Sequence, residues 1–394
     1  MKSSSASLCI APGGWLGIMG GGQLGRMFCH AAQSLGYRVA VLHPGSSCPA
    51  GMVADLHIQA DYDDVQALDR LSQLCPAVTT EFENVPAKSL ERLAQQSHVS
   101  PSASAVAVAQ DRICEKAFIQ GLGIPVAPYA PILSADDLVR APDTLFPGIL
   151  KAARLGYDGK GQVRVASRDD ALRAFTGLGG VDCVLEANLS LDFEISVVMA
   201  RGQDGETVVY VPAVNEHRDG ILAVSTAPLH VPYNRKVLYS RATQAALHIA
   251  EGLNYCGVLG VEFFVLRDGD LVVNEIAPRP HNSGHYTMDA SISGQFEQQV
   301  RAMAGLPLGG STNVCACVML NILGDVWFDA SGAQREPDWA GVLMVPNAKL
   351  HLYGKLEARH GRKMGHVNVL GPTLKEARQG AARVAECLGI RFRP

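Results

Sequence analysis

The sequence predicts a mixed α/β and α+β chain in three parts: a parallel α/β domain, a small α+β lid and a larger antiparallel-sheet domain. Three observations carry this. A strand–helix–strand pattern opens the chain, short strands around one helix follow residue 110, and long strands with a tight hairpin fill much of the remainder. At roughly 100–200 residues per domain, 394 residues accommodate two or three domains. The pattern places them at 1–110, 111–190 and 191–394.

Taken in order, Trp15–Met19 is an apolar run followed by Gly20, Gly21 and Gly22. Leu24, Met27, Phe28, Ala31 and Leu35 then recur at helical spacing, and Gly36 is a stop signal. Residues 37–42 form the next strand, so the opening is a βαβ unit with a parallel, Rossmann-like sheet. Val65, Leu68, Leu71 and Leu74 mark a further helix, and 77–82 a further strand. After Pro101 a helix through Ile113, Ala117 and Phe118 ends near Gly121 and Gly123. Strands follow around 148–153, 162–166 and 183–186, with Ala171 to Phe175 on a helix between the last two. Strands at 194–199 and 207–214 begin the antiparallel unit. Its last helix starts at Thr373, with Glu376 completing a capping box and Leu374, Ala377, Ala381, Val384 and Leu388 on its inner face.

Composition narrows the function. With 34 Lys and Arg against 38 Asp and Glu, the net charge of −4 argues against a nucleic-acid surface. Ten cysteines lie scattered without CxxC pairs, as in a reduced cytoplasmic protein. No apolar run approaches the ~18 residues that suggest a membrane span. Residues 1–12 lack the apolar core of a signal peptide and predict a disordered tail.

The sharpest chemical signal lies at 260–276. Two apolar strands flank Asp268-Gly269, a two-residue hairpin turn. Counted outward from that turn, Glu262 and Glu275 fall opposite each other on one side of the ribbon. Facing like charges destabilise a hairpin, so something must compensate. Mg²⁺ suits the position, because it takes one or two carboxylates and completes its shell with phosphates and water. Asn274 offers a neutral oxygen beside it. A solvated face with Lys or Arg neighbours is the simpler alternative.

A Gly-rich strap lies upstream. Gly156, Gly159 and Gly161 let the backbone approach a phosphate closely, and Lys151 and Lys160 supply positive charge. The pattern is not GxxxxGK[ST], which excludes a P-loop. Together, strap and carboxylate pair suggest Mg·ATP held between a small lid and a larger antiparallel domain. Gly20-x-Gly22-x-x-Gly25 matches a dinucleotide fingerprint, but the next strand ends Leu42-His43-Pro44 without the acid that a ribose requires. A substrate phosphate at the helix N-terminus, on the amides near Gln23 and Leu24, is the better expectation.

Several segments resemble one family closely: 20–27 (GGGQLGRM), 81–86 (EFENVP), 111–118 (DRICEKAF), 155–162 (LGYDGKGQ), 274–285 (NEIAPRPHNSGH) and 361–368 (GRKMGHVN). Running in order from about residue 15 to 370, they resemble the 5-(carboxyamino)imidazole ribonucleotide synthases of the ATP-grasp superfamily. The resemblance implies an ATP-grasp architecture. It also implies a cytoplasmic ligase of purine biosynthesis, usually a homodimer. Its reaction converts ATP, bicarbonate and 5-aminoimidazole ribonucleotide to the N-carboxylated product, ADP and phosphate through carboxyphosphate. Mg²⁺ is the implied metal, with Mn²⁺ as a substitute.

The resemblance also implies site residues. Arg112 and Lys151 contact ATP, and the strap of Gly156, Tyr157, Asp158, Gly159, Lys160, Gly161 and Gln162 covers its phosphates. Glu186, Ala187, Asn188 and Leu189 form the adenine connection, Glu194 holds the ribose, and His217, Asn274 and Glu275 complete the nucleotide site. Glu262 and Glu275 hold the metal. Gln23, Leu24, Glu81 and Arg362 seat the ribonucleotide, while Tyr157, Asp158, Arg279, His281, Asn282 and Lys355 carry the chemistry. Arg279, Lys355 and Arg362 suit phosphate and carboxylate oxygens; Asp158 is placed to accept a proton or orient the amine. Three alternatives remain: a formate-using glycinamide ribonucleotide transformylase, a biotin-carboxylase-like enzyme, and a catalytically inactive ATP-grasp binding protein.

Overall fold

The computed structural model describes residues 8–156, 161–229 and 235–393. Part of the predicted N-terminal tail, and Tyr157, Asp158, Gly159 and Lys160 of the strap, lie outside the described residues.

Three sheets organise the chain. The first contains β1 (Trp15–Met19), β2 (Arg38–Leu42), β3 (Leu56–Ile58), β4 (Ala77–Thr80) and β5 (His98–Val99), all parallel, in the order β3-β2-β1-β4-β5. The second contains β6 (Tyr129–Ile132), β7 (Gly148–Ala152), β8 (Gln162–Val165) and β9 (Cys183–Ala187), antiparallel, in the order β6-β9-β7-β8. The third is a nine-stranded antiparallel sheet of β10 (Leu191–Arg201), β11 (Thr207–Val209), β12 (Ala213–Arg218), β13 (Ile221–Ala227), β14 (Gly257–Leu266), β15 (Leu271–Ala277), β16 (Ala316–Leu323), β17 (Ala348–Leu352) and β18 (Lys363–Gly371).

Apolar periodicity explains the layering. Helix Arg235–Gly252 buries Leu238, Ala242, Ala246 and Ile249 against Ile195, Val197 and Val261 of the large sheet. Helix Leu374–Leu388 has the predicted Thr373–Glu376 capping box and covers β16 and β18 with Ala377, Ala381, Val384 and Leu388. Helix Arg112–Gly121, which the sequence reading grouped with the lid, sends Ile119 into the core beneath the large sheet instead. The small sheet keeps its own core of Ile132, Leu138, Leu150, Phe175 and Leu185. Helix Gln295–Ala304 ties the first sheet to the third, since Phe296, Val300 and Met303 pack with Leu16, Phe28 and Val39.

In the parallel sheet, crossovers leave β1 in opposite directions, so a crevice opens beyond the carboxyl ends of β1 and β4. Two loops meet there. Gly20 to Gly22 follow β1 and lead into helix Gln23–Ser34, and Glu81 follows β4 directly. The Glu81 carboxylate accepts hydrogen bonds from the amides of Gly22 and of Gly25, the latter at 2.7 Å. The helix N-terminus is therefore already neutralised by a side chain. The Gln23 and Leu24 amides, where the sequence reading expects a substrate phosphate, are not among those that Glu81 occupies.

The close approach explains the glycine pattern. A Cβ on Gly22 would lie 2.7 Å from Glu81 Oε1, and Gly22 has an ordinary negative φ of −83°, so the constraint is space rather than backbone conformation. Gly22→Ala is expected to destabilise the protein by about 1–3 kcal/mol. In a Glu81→Ala background the same change is expected to cost less by at least ~0.5 kcal/mol, the coupling of groups in contact. Urea unfolding of the four variants checks this, and equal costs in both backgrounds would remove the steric explanation.

Candidate active site

A cleft of about 1370 Å³ lies between the three sheets. Every site residue expected from the sequence and present among the described residues lines it, except Gly161.

Glu262 and Glu275 are paired across β14 and β15, as the sequence indicated, but the route differs. The turn is a three-residue loop in which Gly269 has φ +88° and donates its amide to Leu266. The strands near it pair Val265 with Leu271 and Phe263 with Val273. The register then shifts by one at Asn274, a bulge that restores the facing of the two glutamates. Two offsets cancel. Bulges re-aim side chains beside functional sites, and this one turns Asn274 and Glu275 into the cleft.

The surroundings of the two carboxylates are unequal. Arg112 Nη1 lies 3.1 Å from Glu275 Oε2. Burial would raise the Glu275 pKa, but Arg112 and Lys151 bring it below the ordinary carboxylate value. Glu262 is raised, by burial first and then by the charge of Glu275. Among the described residues no group of three or more His, Cys, Asp or Glu side chains is arranged to hold a metal. Two carboxylates and an amide suit a hard cation that takes its other ligands from phosphate and water.

On the lid side, Glu186 at the end of β9 is buried between two lysines. Lys151 Nζ lies 3.1 Å from its carboxylate, and Lys116 Nζ 3.3 Å. Burial and neighbouring cations lower the Lys151 pKa despite Glu186. Ala187, Asn188 and Leu189 continue as the short connection into β10 and line the cleft. Glu194 and His217, on neighbouring strands β10 and β12, meet at 2.6 Å between Oε2 and Nδ1. Burial would lower the His217 pKa, and the Glu194 carboxylate, which accepts from Nδ1, more than offsets it.

The opposite end of the cleft is built by the loop after β15. Arg279 Nε lies 2.8 Å from Glu83 Oε2. Burial would raise the Glu83 pKa, yet Arg279 pulls it down to about 2. His281 Nδ1 receives the Ser283 amide at 3.3 Å and lies 2.8 Å from the Ser283 hydroxyl. An amide can only donate, so Nδ1 is an acceptor and the neutral ring carries its proton on Nε2, which lies 3.6 Å from Glu262. Burial first, and then Arg279, hold the His281 pKa well below its ordinary value, which keeps the ring neutral. Lys355 Nζ bonds Gln23 Oε1 at 2.7 Å and the Lys363 carbonyl at 2.5 Å, joining the first and third sheets. Arg362 bonds the Glu357 carbonyl at the rim.

Asn282 lines the cleft and is also bonded within the fold. Its amide and that of Asn321 bond reciprocally, at 2.7 and 3.0 Å, and Asn321 also reaches the Leu222 carbonyl. The side chain fastens the loop to the sheet. Sequence reasoning missed Glu83, although it stands in the same short segment as Glu81. It also missed Glu115, which receives the Ile276 amide at 2.6 Å and whose pKa burial pushes up to about 8.

A cleft between a small antiparallel lid and a large antiparallel sheet, lined by Lys151 and Arg112 and by facing carboxylates, defines an ATP-grasp ligase. The family models agree in order along the chain: a ribonucleotide synthetase preATP-grasp domain at 15–110, an ATP-grasp domain at 117–296 and a phosphoribosylaminoimidazole carboxylase C-terminal domain at 317–380. An N5-carboxyaminoimidazole ribonucleotide synthase of Brucella melitensis is 44% identical over 366 residues, covering 92% of this chain and 98% of that protein. A solved ADP complex of an N5-carboxyaminoimidazole ribonucleotide synthetase is 39% identical, with a TM-score of 0.87 over 96% of this chain and 98% of the other. An Aspergillus clavatus N5-carboxyaminoimidazole synthase, solved with ADP and 5-aminoimidazole ribonucleotide, is 30% identical with a TM-score of 0.85, covering 95% and 98% of the two chains. The chain belongs to the N5-carboxyaminoimidazole ribonucleotide synthase family.

The raised Glu262 pKa has a sign that can be tested on metal-free protein. Between an unfolded value near 4.5 and a folded value of about 7, the folded state binds more protons. Stability therefore falls as pH rises through that window, by ~2 kcal/mol after allowing for the coupling of the pair. Glu262→Gln is expected to abolish this fall and to be more stable than wild type at pH 8. Urea unfolding in chelator between pH 4.5 and 8 measures it; a wild-type slope unchanged by the substitution would contradict the facing-charge account.

Proposed function

We infer that this chain carboxylates 5-aminoimidazole ribonucleotide, using bicarbonate and ATP and forming ADP and phosphate through carboxyphosphate. The observation that carries this reading is the facing Glu262–Glu275 pair, Glu262 buried and Glu275 partly exposed, in a cleft that Lys151, Arg112, Arg279 and Lys355 also line.

On the nucleotide side, Lys151 and Arg112 bind the ATP phosphates, the connection 186–189 seats the adenine, and the Glu194–His217 pair holds the ribose. Mg²⁺ on Glu262 and Glu275 would neutralise phosphate charge during transfer to bicarbonate. Arg279 is tethered by Glu83 through Nε, so its terminal nitrogens serve the carboxyl oxygens of bicarbonate. His281 supplies an Nε2–H donor there and no lone pair. Lys355, fixed to Gln23, and Arg362 bind anionic groups of the ribonucleotide. Asp158, from the strap, orients the exocyclic amine or takes its proton, and Tyr157 covers it. Carboxyphosphate hydrolyses readily, so covering the cleft protects the intermediate from water.

The direct test is phosphate release from Mg·ATP at controlled bicarbonate, with and without 5-aminoimidazole ribonucleotide. Release that depends on the ribonucleotide, with labelled bicarbonate entering an acid-labile product, is expected. Release with glycinamide ribonucleotide and formate instead would keep the ATP-grasp chemistry and replace the substrate. Release with neither pair would overturn the reading.

Two variants divide the site. Glu275→Gln should reduce turnover on the order of a hundredfold or more, because metal stabilisation of transferring charge is worth several kcal/mol, while the protein stays folded. Lys355→Ala should raise KM for the ribonucleotide about tenfold, as for loss of one charged hydrogen bond, with KM for ATP unchanged. Full activity in the first, or unchanged ribonucleotide kinetics in the second, removes that residue from its role.

A further inference from the structure

Lys116 is 1% exposed and does not line the cleft, yet it points at the same carboxylate as the cleft lysine. It stands four residues after Arg112 on helix Arg112–Gly121, so one helix face delivers both cations. Glu186 thus has two cationic partners, Lys116 and Lys151, each within 3.3 Å. The cluster holds two positive charges and one negative charge, and it is buried. Uncompensated charge in such a place is costly unless a further partner supplies the balance.

The neighbouring acids do not supply it. Glu275 is bonded to Arg112. Glu115 receives the Ile276 amide, and burial favours its neutral form. The remaining positive charge therefore faces the cleft through Lys151, which lines it.

We propose that Lys116 is a positioning residue for the nucleotide: by pairing with Glu186 it keeps that carboxylate from cancelling Lys151, whose charge is then available to a phosphate of ATP. This rests on the reading of the cleft as an ATP site and adds a residue that acts behind it. Lys151 already donates a hydrogen bond to Glu186 at 3.1 Å; with Lys116 absent the two would form a neutral pair, and less of the Lys151 charge would reach the ligand.

The proposal makes a charge-balance prediction. Lys116→Met should raise KM for ATP about tenfold, the loss expected for one charged interaction, with a smaller change in kcat. It should also shrink the rise in melting temperature produced by Mg·ADP. Adding Glu186→Gln should bring both measures to those of Glu186→Gln alone, because a neutral amide no longer cancels Lys151. Lys116→Arg, which keeps the charge, should stay within about twofold of wild type in KM for ATP.

A packing role predicts the reverse pattern, with a lower melting temperature in Lys116→Met, little change in KM for ATP, and the same effect of Lys116→Met in the wild-type and Glu186→Gln backgrounds. That result overturns the proposal. If Lys116→Met does not fold, the comparison of the double variant with Glu186→Gln alone decides. Equal KM values for ATP support the charge account, because Lys116 then has no carboxylate left to neutralise; a much higher value in the double variant overturns it. Wild-type protein that gains no stability from Mg·ADP would instead show that the ATP reading itself has failed, and this inference with it.

Discussion

Two carboxylates, one buried and one partly exposed, face each other across a hairpin in a cleft, and the rest of the site is arranged around that repulsion. Coulomb energy between like charges rises steeply as water is excluded, so Glu262 and Glu275 cannot both stay ionised there without help. The fold supplies the help unevenly. Arg112 is bonded to Glu275, while among the described residues His217 and Lys363 act on Glu262 as more distant cationic influences. One carboxylate is thereby held as an anion and the other is left dependent on what binds. A hard cation bridging to phosphate would complete this arrangement. That dependence makes an expensive pair useful in a site meant to be filled.

Positioning the pair requires all three sheets. The large sheet provides β14 and β15, with the bulge at Asn274 that sets their register. The small sheet ends in Glu186, and through Lys151 and Lys116 it gathers cations where triphosphate charge is proposed to lie. The parallel sheet contributes Glu83, which reaches across to fix Arg279, and Gln23, which holds Lys355. Arg279 and Lys355 are thus each anchored by an acceptor from another part of the chain. Such anchoring reduces the side-chain freedom lost on binding. It also means that the relative placement of the three sheets sets the geometry of the site.

Local signals in the sequence carried much of this. Trp15–Met19, helix Leu374–Leu388 with its capping box and the hairpin at 257–277 follow from period and turn chemistry alone. The facing of Glu262 and Glu275 was reached from the numbering, although the true loop is one residue longer and a bulge compensates. A bulge depends on tertiary contacts and has no signature in a strand of Val and Asn. Long-range pairing was likewise hidden. Nothing local marks Asn282 as the partner of Asn321, or Ile119 as part of the core beneath the large sheet. The ordered motifs of the family supplied most of the site residues, and the roles of Glu83 and Lys116 became visible only when the side chains behind the lining were in place.

The glycine pattern after β1 shows why a motif must be read with what fills it. Gly20-x-Gly22-x-x-Gly25 has the form of a dinucleotide fingerprint, and it does form a close turn into a helix N-terminus. The anion at that terminus is Glu81, which accepts from two of the amides that a pyrophosphate would need. A second anion at the same amides would meet that carboxylate at hydrogen-bond distance, with the repulsion this entails. Under the proposed function, phosphate recognition in this crevice would fall to the Gln23 and Leu24 amides and to neighbouring groups. Lys355 sits at the entrance beside Gln23, and Arg362 lies at the rim. The crevice at the switch point of the parallel sheet is still a binding site in the sense its topology implies. Its chemistry has changed from a bare helix terminus that attracts phosphate to a carboxylate edge flanked by cations, which suits a ligand with hydroxyl groups as well as an anion.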